Sequence, residues 1–144
     1  MSEAAEREVL ALAERFFRAI ERGDVETVRQ IYSPQAVIWH NYDSLDERET
    51  GQNVEANLAV LAGLPQRIRG ARYDVWYREA TATGFVQQHV LRGTMPNGEP
   101  LVLPACIIAK VEDGHVSRID EYFDPAIRAR LYAAVKAAQE AARS

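Results

Sequence analysis

The sequence predicts an α+β fold, in which helices come first and a curled antiparallel sheet follows. In the N-terminal third, apolar residues recur at three- and four-residue steps, which is the period of an amphipathic helix. From Ile68 onward the apolar pattern changes to period two and is interrupted by strong turn signals. Helices followed by a run of short strands are typical of this fold class.

Four helices are predicted from periodicity and from residues that favour helix ends. Gly23 ends the first helix, Asp24 can cap the second, and an Asp-Pro pair opens the last one. The predicted helices run from about Glu3 to Arg22, from Asp24 to the Ser33-Pro34 pair, from near Gly51 to Ala62, and from the Asp124-Pro125 pair onward.

Five strands are predicted from period-two patterns rich in β-forming residues. They run from Ala36 to Asp43, Ala71 to Glu79, Phe85 to Gly93, Leu101 to Val111, and Val116 to Phe123. Two of the connections contain Asn97-Gly98 and Asp113-Gly114, which are strong hairpin signals because both residues tolerate positive φ. We therefore expect the second half of the chain to form an antiparallel meander.

Length and composition restrict the possible classes of protein. With 144 residues, 47% hydrophobic and 26% charged, the chain is expected to form a single domain, 1–144. A net charge of -4 argues against nucleic-acid and membrane partners. The N-terminus, MSEAAEREVL, has acidic residues where a signal peptide has basic ones, so we expect a cytoplasmic protein.

No cofactor or metal is expected. The three histidines have no ligand spacing, and Cys106 is the only cysteine. No glycine-rich loop joins a strand to a helix start, which would be needed for the usual phosphate or dinucleotide site.

Glu121 is the main chemical candidate. Side chains alternate along a strand, so Glu121 shares its face with Ile119 and Phe123, whereas Asp120 lies on the opposite face. A carboxylate in apolar surroundings can exchange a proton near neutral pH and serve as a general acid or base. The alternative is a structural ion pair with an arginine such as Arg92 or Arg118.

His89 is the second candidate, because histidine transfers protons near neutral pH. Its strand, FVQQHVLRG, has two faces of mixed polarity, and periodicity does not decide which one points inward. One face carries Phe85, Gln87, His89 and Leu91, and the other carries Val86, Gln88, Val90 and Arg92. His89 is therefore either a functional group or a hydrogen-bonded histidine within the sheet.

The segment WHNYD adds aromatic and polar candidates. Trp39 could form an aromatic pocket wall, and Asn41 could position a hydroxyl, a water or a carbonyl, since its amide both donates and accepts. Core packing and a turn-forming asparagine are the alternatives. His40 and Asp43, at the end of the strand, could reach the mouth of a pocket.

The order of helices, the WHNYD strand, the meander and the closing EYFD segment resembles the nuclear-transport-factor-2-like superfamily, in particular its SnoaL-like branch. Relatives in that branch include polyketide cyclases, ketosteroid isomerases and limonene epoxide hydrolases. The resemblance implies a cone-like, strongly bent sheet, closed by the N-terminal helices around a deep apolar pocket.

The resemblance to limonene epoxide hydrolases places Trp39, Asn41 and Glu121 at positions of their motif. Those enzymes also have an Arg and an Asp two apart on the middle strand, where the aligned residues here are Gln88 and Val90. This alignment favours Gln88, Val90 and Arg92 on the inner face. In polyketide cyclases a histidine precedes the acid by one strand length, and the corresponding residues 105–109 are apolar here.

These features together predict a cofactor-independent enzyme of isomerase, cyclase or lyase type, acting on a hydrophobic cyclic or aromatic metabolite. Glu121 would be the acid or base, and Asn41 with His89 or Gln88 would bind the oxygen on which charge develops. Residues expected to shape the site are Trp39, His40, Asp43, Arg92, Phe16, Ile107 and Phe123.

Two alternatives remain at this point: a non-catalytic ligand-binding or protein-interaction domain on the same fold, and an epoxide hydrolase-like activity. A homodimer through the convex face of the sheet is expected in either case, because that face still carries apolar residues.

Overall fold

The computed structural model describes all residues, 1–144. It contains five helices and five strands, together with one short 3-10 turn at Leu45–Glu47. In chain order they are α1 (Glu3–Arg22), α2 (Val25–Ile31), β1 (Tyr32–His40), α3 (Val54–Ala62), α4 (Leu64–Arg67), β2 (Arg69–Thr81), β3 (Gly84–Thr94), β4 (Pro100–Glu112), β5 (His115–Phe123) and α5 (Pro125–Arg143). The predicted α+β class is confirmed.

The residues that were expected to limit the helices do so. Gly23 ends α1 in the left-handed conformation, and the carboxylates of Asp24 and Asp124 accept backbone N–H groups at the starts of α2 and α5. Asp113 and Gly114 both have positive φ in the β4–β5 turn. These turn and cap residues act locally, so they were readable from the sequence alone.

The five strands form one sheet in the order β1-β5-β4-β3-β2. The pairs from β2 to β5 are antiparallel, but β1 lies parallel to β5, so the sheet is mixed rather than wholly antiparallel. β1 also begins earlier than predicted and includes Ser33-Pro34. Proline is tolerated there because β1 is an edge strand, where one missing N–H breaks few ladder bonds.

The helices cover the concave face of the sheet from two ends. At one end α1 and α2 pack on β3, β4 and β5 in a cluster that includes Phe17, Phe85 and Ile119. At the other end α5 packs through Leu131 and Ala134 on apolar residues of β3 and β4. The space between the two clusters remains open as a cavity.

None of the helices is long and apolar enough to span a membrane.

Candidate functional site

The cavity on the concave face of the sheet has a volume of about 320 Å³. It is bounded by the inner faces of β1 to β5 and by α3, α4 and α5, and twelve of its twenty lining residues are hydrophobic. It therefore offers an apolar chamber into which a small number of polar side chains project, an arrangement typical of small-molecule sites.

Strand register explains which side chains share the concave face of the sheet with this chamber. His40 on β1 is paired with Glu121 on β5, Glu121 with Ile107 on β4, and Ile107 with Gln87 on β3. Residues paired across neighbouring strands point to the same face of the sheet. β1, β5, β4 and β3 are neighbours in the sheet, and they thus contribute one row of inward-facing side chains that runs from His40 to Gln87.

A second inward row lies nearer the C-terminal helix. His89 is paired with Ala105, and Ala105 with Phe123. The small side chain of Ala105 at the centre of this row leaves space between its larger neighbours, and all three residues line the cavity. The small side chain of Ala105 therefore leaves part of the cavity open.

Glu121 and His40 form the polar centre of the cavity. Oε1 of Glu121 lies 3.3 Å from Nε2 of His40, and Oδ2 of Asp43 lies 3.6 Å from Nδ1 on the other side of the ring. The same Asp43 oxygen accepts the backbone N–H of His40 at 3.0 Å. The imidazole is therefore held between two carboxylates.

The environment of His40 changes its affinity for protons. Burial by itself would lower the pKa of His40, but the hydrogen bond and charge of Glu121, supported by Asp43, outweigh burial and raise the pKa above its ordinary value. The imidazolium form of His40 is thus favoured directly beside Glu121.

His89 has the opposite character. Its side chain is buried, with 1% of the residue exposed, and burial lowers the pKa of His89 despite the nearby charge of Glu121. Its Nδ1 lies 2.8 Å from Nε2 of Gln87, whereas its own Nε2 is buried and has no hydrogen-bond partner in the protein. The two cavity histidines are tuned in opposite directions.

Aromatic rings stack at the mouth of the cavity. Tyr42 lies against His40 and Phe123, with ring centroids 5.0 and 5.4 Å apart, and the guanidinium of Arg128 covers the outer face of Tyr42 at 4.0 Å. Burial raises the pKa of Tyr42 to about 12, against the opposing charge of Arg128. Tyr132 packs on the other side of the same guanidinium at 4.3 Å.

Five of the residues singled out from the sequence lie at the cavity. They are Glu121, His89, His40, Asp43 and Phe123. The partner of Glu121 is His40, not either of the arginines considered from the sequence. Arg118 instead binds Asp120 with contacts of 2.9 and 3.0 Å on the convex face.

Trp39 and Asn41 do not face the cavity, so their assignment to it was wrong. Trp39 is 2% exposed and packs edge-on against Tyr122 on the other face of the sheet. Asn41 uses both amide atoms on the backbone of Phe123, donating to its carbonyl at 2.9 Å and accepting its N–H at 3.2 Å. Asn41 is therefore a clamp: its side-chain amide joins the end of β1 to β5, as the backbone of a strand residue would.

Gln88 and Arg92 also point away from the cavity. Both belong to the convex face of β3, where Gln88 is exposed and Arg92 binds Asp74 at 3.1 Å. The alternation within β3 that the alignment favoured is therefore reversed, and Gln87 and His89 are the inward polar pair.

Phe16 and Ile107 were expected in the pocket wall, and the structure corrects this as well. Both belong to the buried cluster under α1. Because α1 fills that end of the concave face, their side chains pack beside the chamber and do not line it. The cavity is closed by α3, α4 and α5 and not by the first two helices.

Several cavity residues were missed from the sequence. Tyr42 lies two residues after His40, so alternation predicts that it shares the inner face once His40 is known to point inward. Arg128 and Tyr132 are four residues apart on α5, and this spacing puts them on one helix face. Tyr73 on β2 had no usable signal, because only the strand register shows that it faces Leu91 and the cavity.

No group of three His, Cys, Asp or Glu side chains in the structure is arranged to hold a metal ion.

A bent sheet that holds an apolar chamber with a few titratable groups defines a class of small-molecule-binding, enzyme-type domains. The model of the SnoaL-like domain matches residues 13–119, and the chain belongs to this family. The resemblance inferred from the sequence is thereby confirmed.

Solved structures of this fold resemble the chain over most of its length. The LEH-like epoxide hydrolase of M. tuberculosis matches with a TM-score of 0.69 and 15% identity, covering 95% of this chain and 96% of that one. IdmH, a candidate polyketide cyclase of Streptomyces antibioticus, matches with a TM-score of 0.71 and 20% identity, covering 87% and 98%. PrhC of Penicillium brasilianum matches with a TM-score of 0.78 and 16% identity, covering 93% and 91%. At these identities the likeness shows the fold alone.

One relative found by sequence is part of a much longer protein. A stretch of 110 residues, 74% of this chain, is 34% identical to part of the phenylalanine–tRNA ligase beta subunit of Vibrio parahaemolyticus. The chain spans 13% of the length of that subunit.

Proposed function

We propose that this domain is a cofactor-independent enzyme that moves a proton on a hydrophobic cyclic or aromatic substrate next to a carbonyl group. The observation that carries this proposal is the Glu121–His40 contact of 3.3 Å inside an otherwise apolar cavity. Isomerisation, cyclisation and retro-aldol-type lyase reactions are each compatible with such a step.

Glu121 is the proton acceptor in this mechanism. Its carboxylate takes a proton from the carbon beside the substrate carbonyl, and the electron pair of that C–H bond moves towards the carbonyl oxygen. The proton then returns to another carbon or to the oxygen, so no oxidant or reductant is needed. Desolvation by the apolar walls strengthens the electrostatic interactions of the carboxylate with its neighbours.

His40 is the partner that positions Glu121 and exchanges protons with it. Asp43 contacts Nδ1 of the ring, and Nε2 on the opposite side lies beside the Glu121 carboxylate. A protonated His40 can return to Glu121 or to the substrate the proton that the reaction requires.

His89 is the group that binds the developing negative charge on oxygen. It is one of the three side chains expected in this role, and the other two, Asn41 and Gln88, point away from the chamber. A buried hydrogen-bond donor that is already oriented stabilises an enolate more strongly than water does.

Ligand binding without catalysis is the second candidate. The contact between His40 and Glu121 could serve only to neutralise a partly buried acid, because the two groups favour the imidazolium form of His40. In that case the cavity would bind the same hydrophobic molecules, but no proton would be exchanged.

The experiment is deuterium exchange into 2-tetralone, an apolar ketone with acidic α protons, followed by NMR in deuterated buffer. We expect exchange above the buffer rate, and a decrease of roughly 10²–10⁴-fold in Glu121→Gln. Glu79→Gln is the matched control, because Glu79 is exposed on β2. Binding of 2-tetralone with no accelerated exchange would favour the ligand-binding alternative.

We also propose that two copies of the chain associate through the convex face of the sheet. Half-exposed apolar side chains lie there on three of the strands: Tyr77 on β2, Ile108 on β4 and Tyr122 on β5. Exposed apolar groups gathered on one surface favour association.

A further inference from the structure

His89 is joined to the protein surface by a chain of three side chains. Nη1 of Arg78 donates to Oε2 of Glu14 at 2.6 Å, and Nε of Arg78 donates to Oε1 of Gln87 at 2.6 Å. Nε2 of Gln87 then lies 2.8 Å from Nδ1 of His89. The order is therefore Glu14, Arg78, Gln87, His89.

The chemistry of these groups fixes which atom donates and which accepts in each of these hydrogen bonds. Arginine has only donors, so the oxygen of the Gln87 amide must face Arg78 and its NH₂ group must face His89. An NH₂ group only donates here, so Nδ1 of His89 accepts. In a neutral imidazole the single proton is then on Nε2.

A β-bulge makes this arrangement possible. Val75 is paired with His89 and Tyr77 with Gln88, so Trp76 is an extra residue on β2. Tyr73 and Val75 lie opposite Leu91 and His89 on the inner face, and after the bulge Arg78 lies opposite Gln87 on that same face. If Trp76 were paired in the ladder instead of bulged, strict alternation from Val75 would turn Arg78 outward.

At the inner end of this hydrogen-bonded series, the Nε2–H group of His89 is a donor without an acceptor. Nε2 of His89 is buried without a partner, in a residue that lines the cavity and is 1% exposed. The ring of Tyr73, edge-on at a centroid distance of 4.8 Å, and the tilted ring of Phe17, at 5.5 Å, pack against the imidazole of His89. A buried donor without an acceptor costs free energy, which a ligand acceptor would recover.

The charged groups around His89 are consistent with a neutral ring. Burial lowers the pKa of His89, Arg78 lowers it further, and only Glu121 opposes them. These contacts favour the neutral form of the ring, which is the form that carries a single N–H donor.

We propose that Glu14, Arg78 and Gln87 hold His89 in the Nε2–H tautomer, and that this N–H group is the recognition site for a carbonyl or enolate oxygen of the ligand. The ligand part of this inference rests on the proposed function, whereas the tautomer part does not. Gln87 and Arg78 are positioning residues, because they act through His89.

The tautomer can be measured directly by long-range ¹H–¹⁵N NMR of the three imidazoles at pH 7.5. We expect the His89 pattern of an Nε2–H ring, assigned by its loss in His89→Gln, with His115→Gln as the control at the exposed start of β5. In Gln87→Glu the new carboxylate accepts instead of donating, so the His89 proton should move to Nδ1. An Nδ1–H ring in the wild-type protein would overturn the proposal. If His89→Gln does not fold, His40→Gln and His115→Gln assign the other two imidazoles and leave the third pattern to His89.

The ligand part is tested with 2-tetralone against tetralin, a hydrocarbon of the same shape without the oxygen. We expect 2-tetralone to shift the His89 Nε2–H signal and to bind more tightly than tetralin, and His89→Leu to abolish this preference. Equal binding of both compounds would refute oxygen recognition by His89. If the shift occurs but α-proton exchange does not, the proposed reaction fails while the oxygen site stands.

Discussion

Nε2 of His40 lies 3.3 Å from Oε1 of Glu121, and the two residues are paired in register across the parallel strands β1 and β5. This contact joins the first strand of the chain to the last. The Glu121–His40 pair therefore forms only when β1 has docked beside β5, so it depends on the longest-range pairing in the sheet.

The first prediction concerns the protonation of His40. We expect Glu121→Gln to lower the pKa of His40, because the carboxylate charge that favours the imidazolium is lost while the shape of the side chain is kept. NMR titration of the imidazole measures this shift, and Glu79→Gln should leave it unchanged. A His40 pKa that stays the same in Glu121→Gln would mean that the two groups do not interact in solution.

The second prediction concerns stability and pH. Because the pKa of His40 is raised in the folded state, its contribution to stability is complete below the unfolded value of about 6.5 and is lost as pH rises through the folded value. The destabilisation caused by His40→Gln should therefore decrease between pH 6 and pH 9. Urea denaturation at a series of pH values measures it, and His115→Gln serves as the control. A cost that grows with pH would contradict the sign.

The third prediction tests the clamp formed by Asn41. Asn41→Ala leaves the N–H and carbonyl of Phe123 without their partners, so we expect a loss of about 1–3 kcal/mol in the free energy of unfolding. The exposed Gln88→Ala should change it by less than about 0.5 kcal/mol. If both variants were equally stable, the clamp would have no structural weight.

The fourth prediction concerns the open space above Ala105. A phenylalanine at this position should fill the centre of the cavity and prevent 2-tetralone from binding, as measured by saturation-transfer NMR. Ala133→Phe, on an exposed face of α5, is the size-matched control. Retained binding in a folded Ala105→Phe protein would place the ligand site elsewhere.

The fifth prediction concerns assembly. If two copies pair through the convex face, sedimentation equilibrium should give twice the monomer mass, and Ile108→Lys should give the monomer because it places a charge on that apolar surface. Leu45→Lys, exposed in the 3-10 turn, should not dissociate the dimer. A wild-type protein that is monomeric at micromolar concentration would exclude this mode of association.

The elements of the fold were predictable because their signals are local. The cap at Asp124, the stop at Gly23 and the Asp113-Gly114 turn act within a few residues of chain, and all three occur in the structure. The boundary between α2 and β1 was less readable. Ser33-Pro34 looks like a helix end, but it lies in an edge strand that tolerates proline.

The sequence by itself determined that Glu121 shares a face with Phe123, since alternation within one strand requires no other part of the chain. Only the tertiary structure decided that His40 and His89 point inward while Trp39, Asn41 and Gln88 do not. The reason is physical: alternation separates the two faces of a strand but does not say which one is buried when both carry polar and apolar groups. That choice depends on the parallel docking of β1, on the bulge at Trp76 and on the helices that close the concave face, all of which are contacts between residues far apart in the chain.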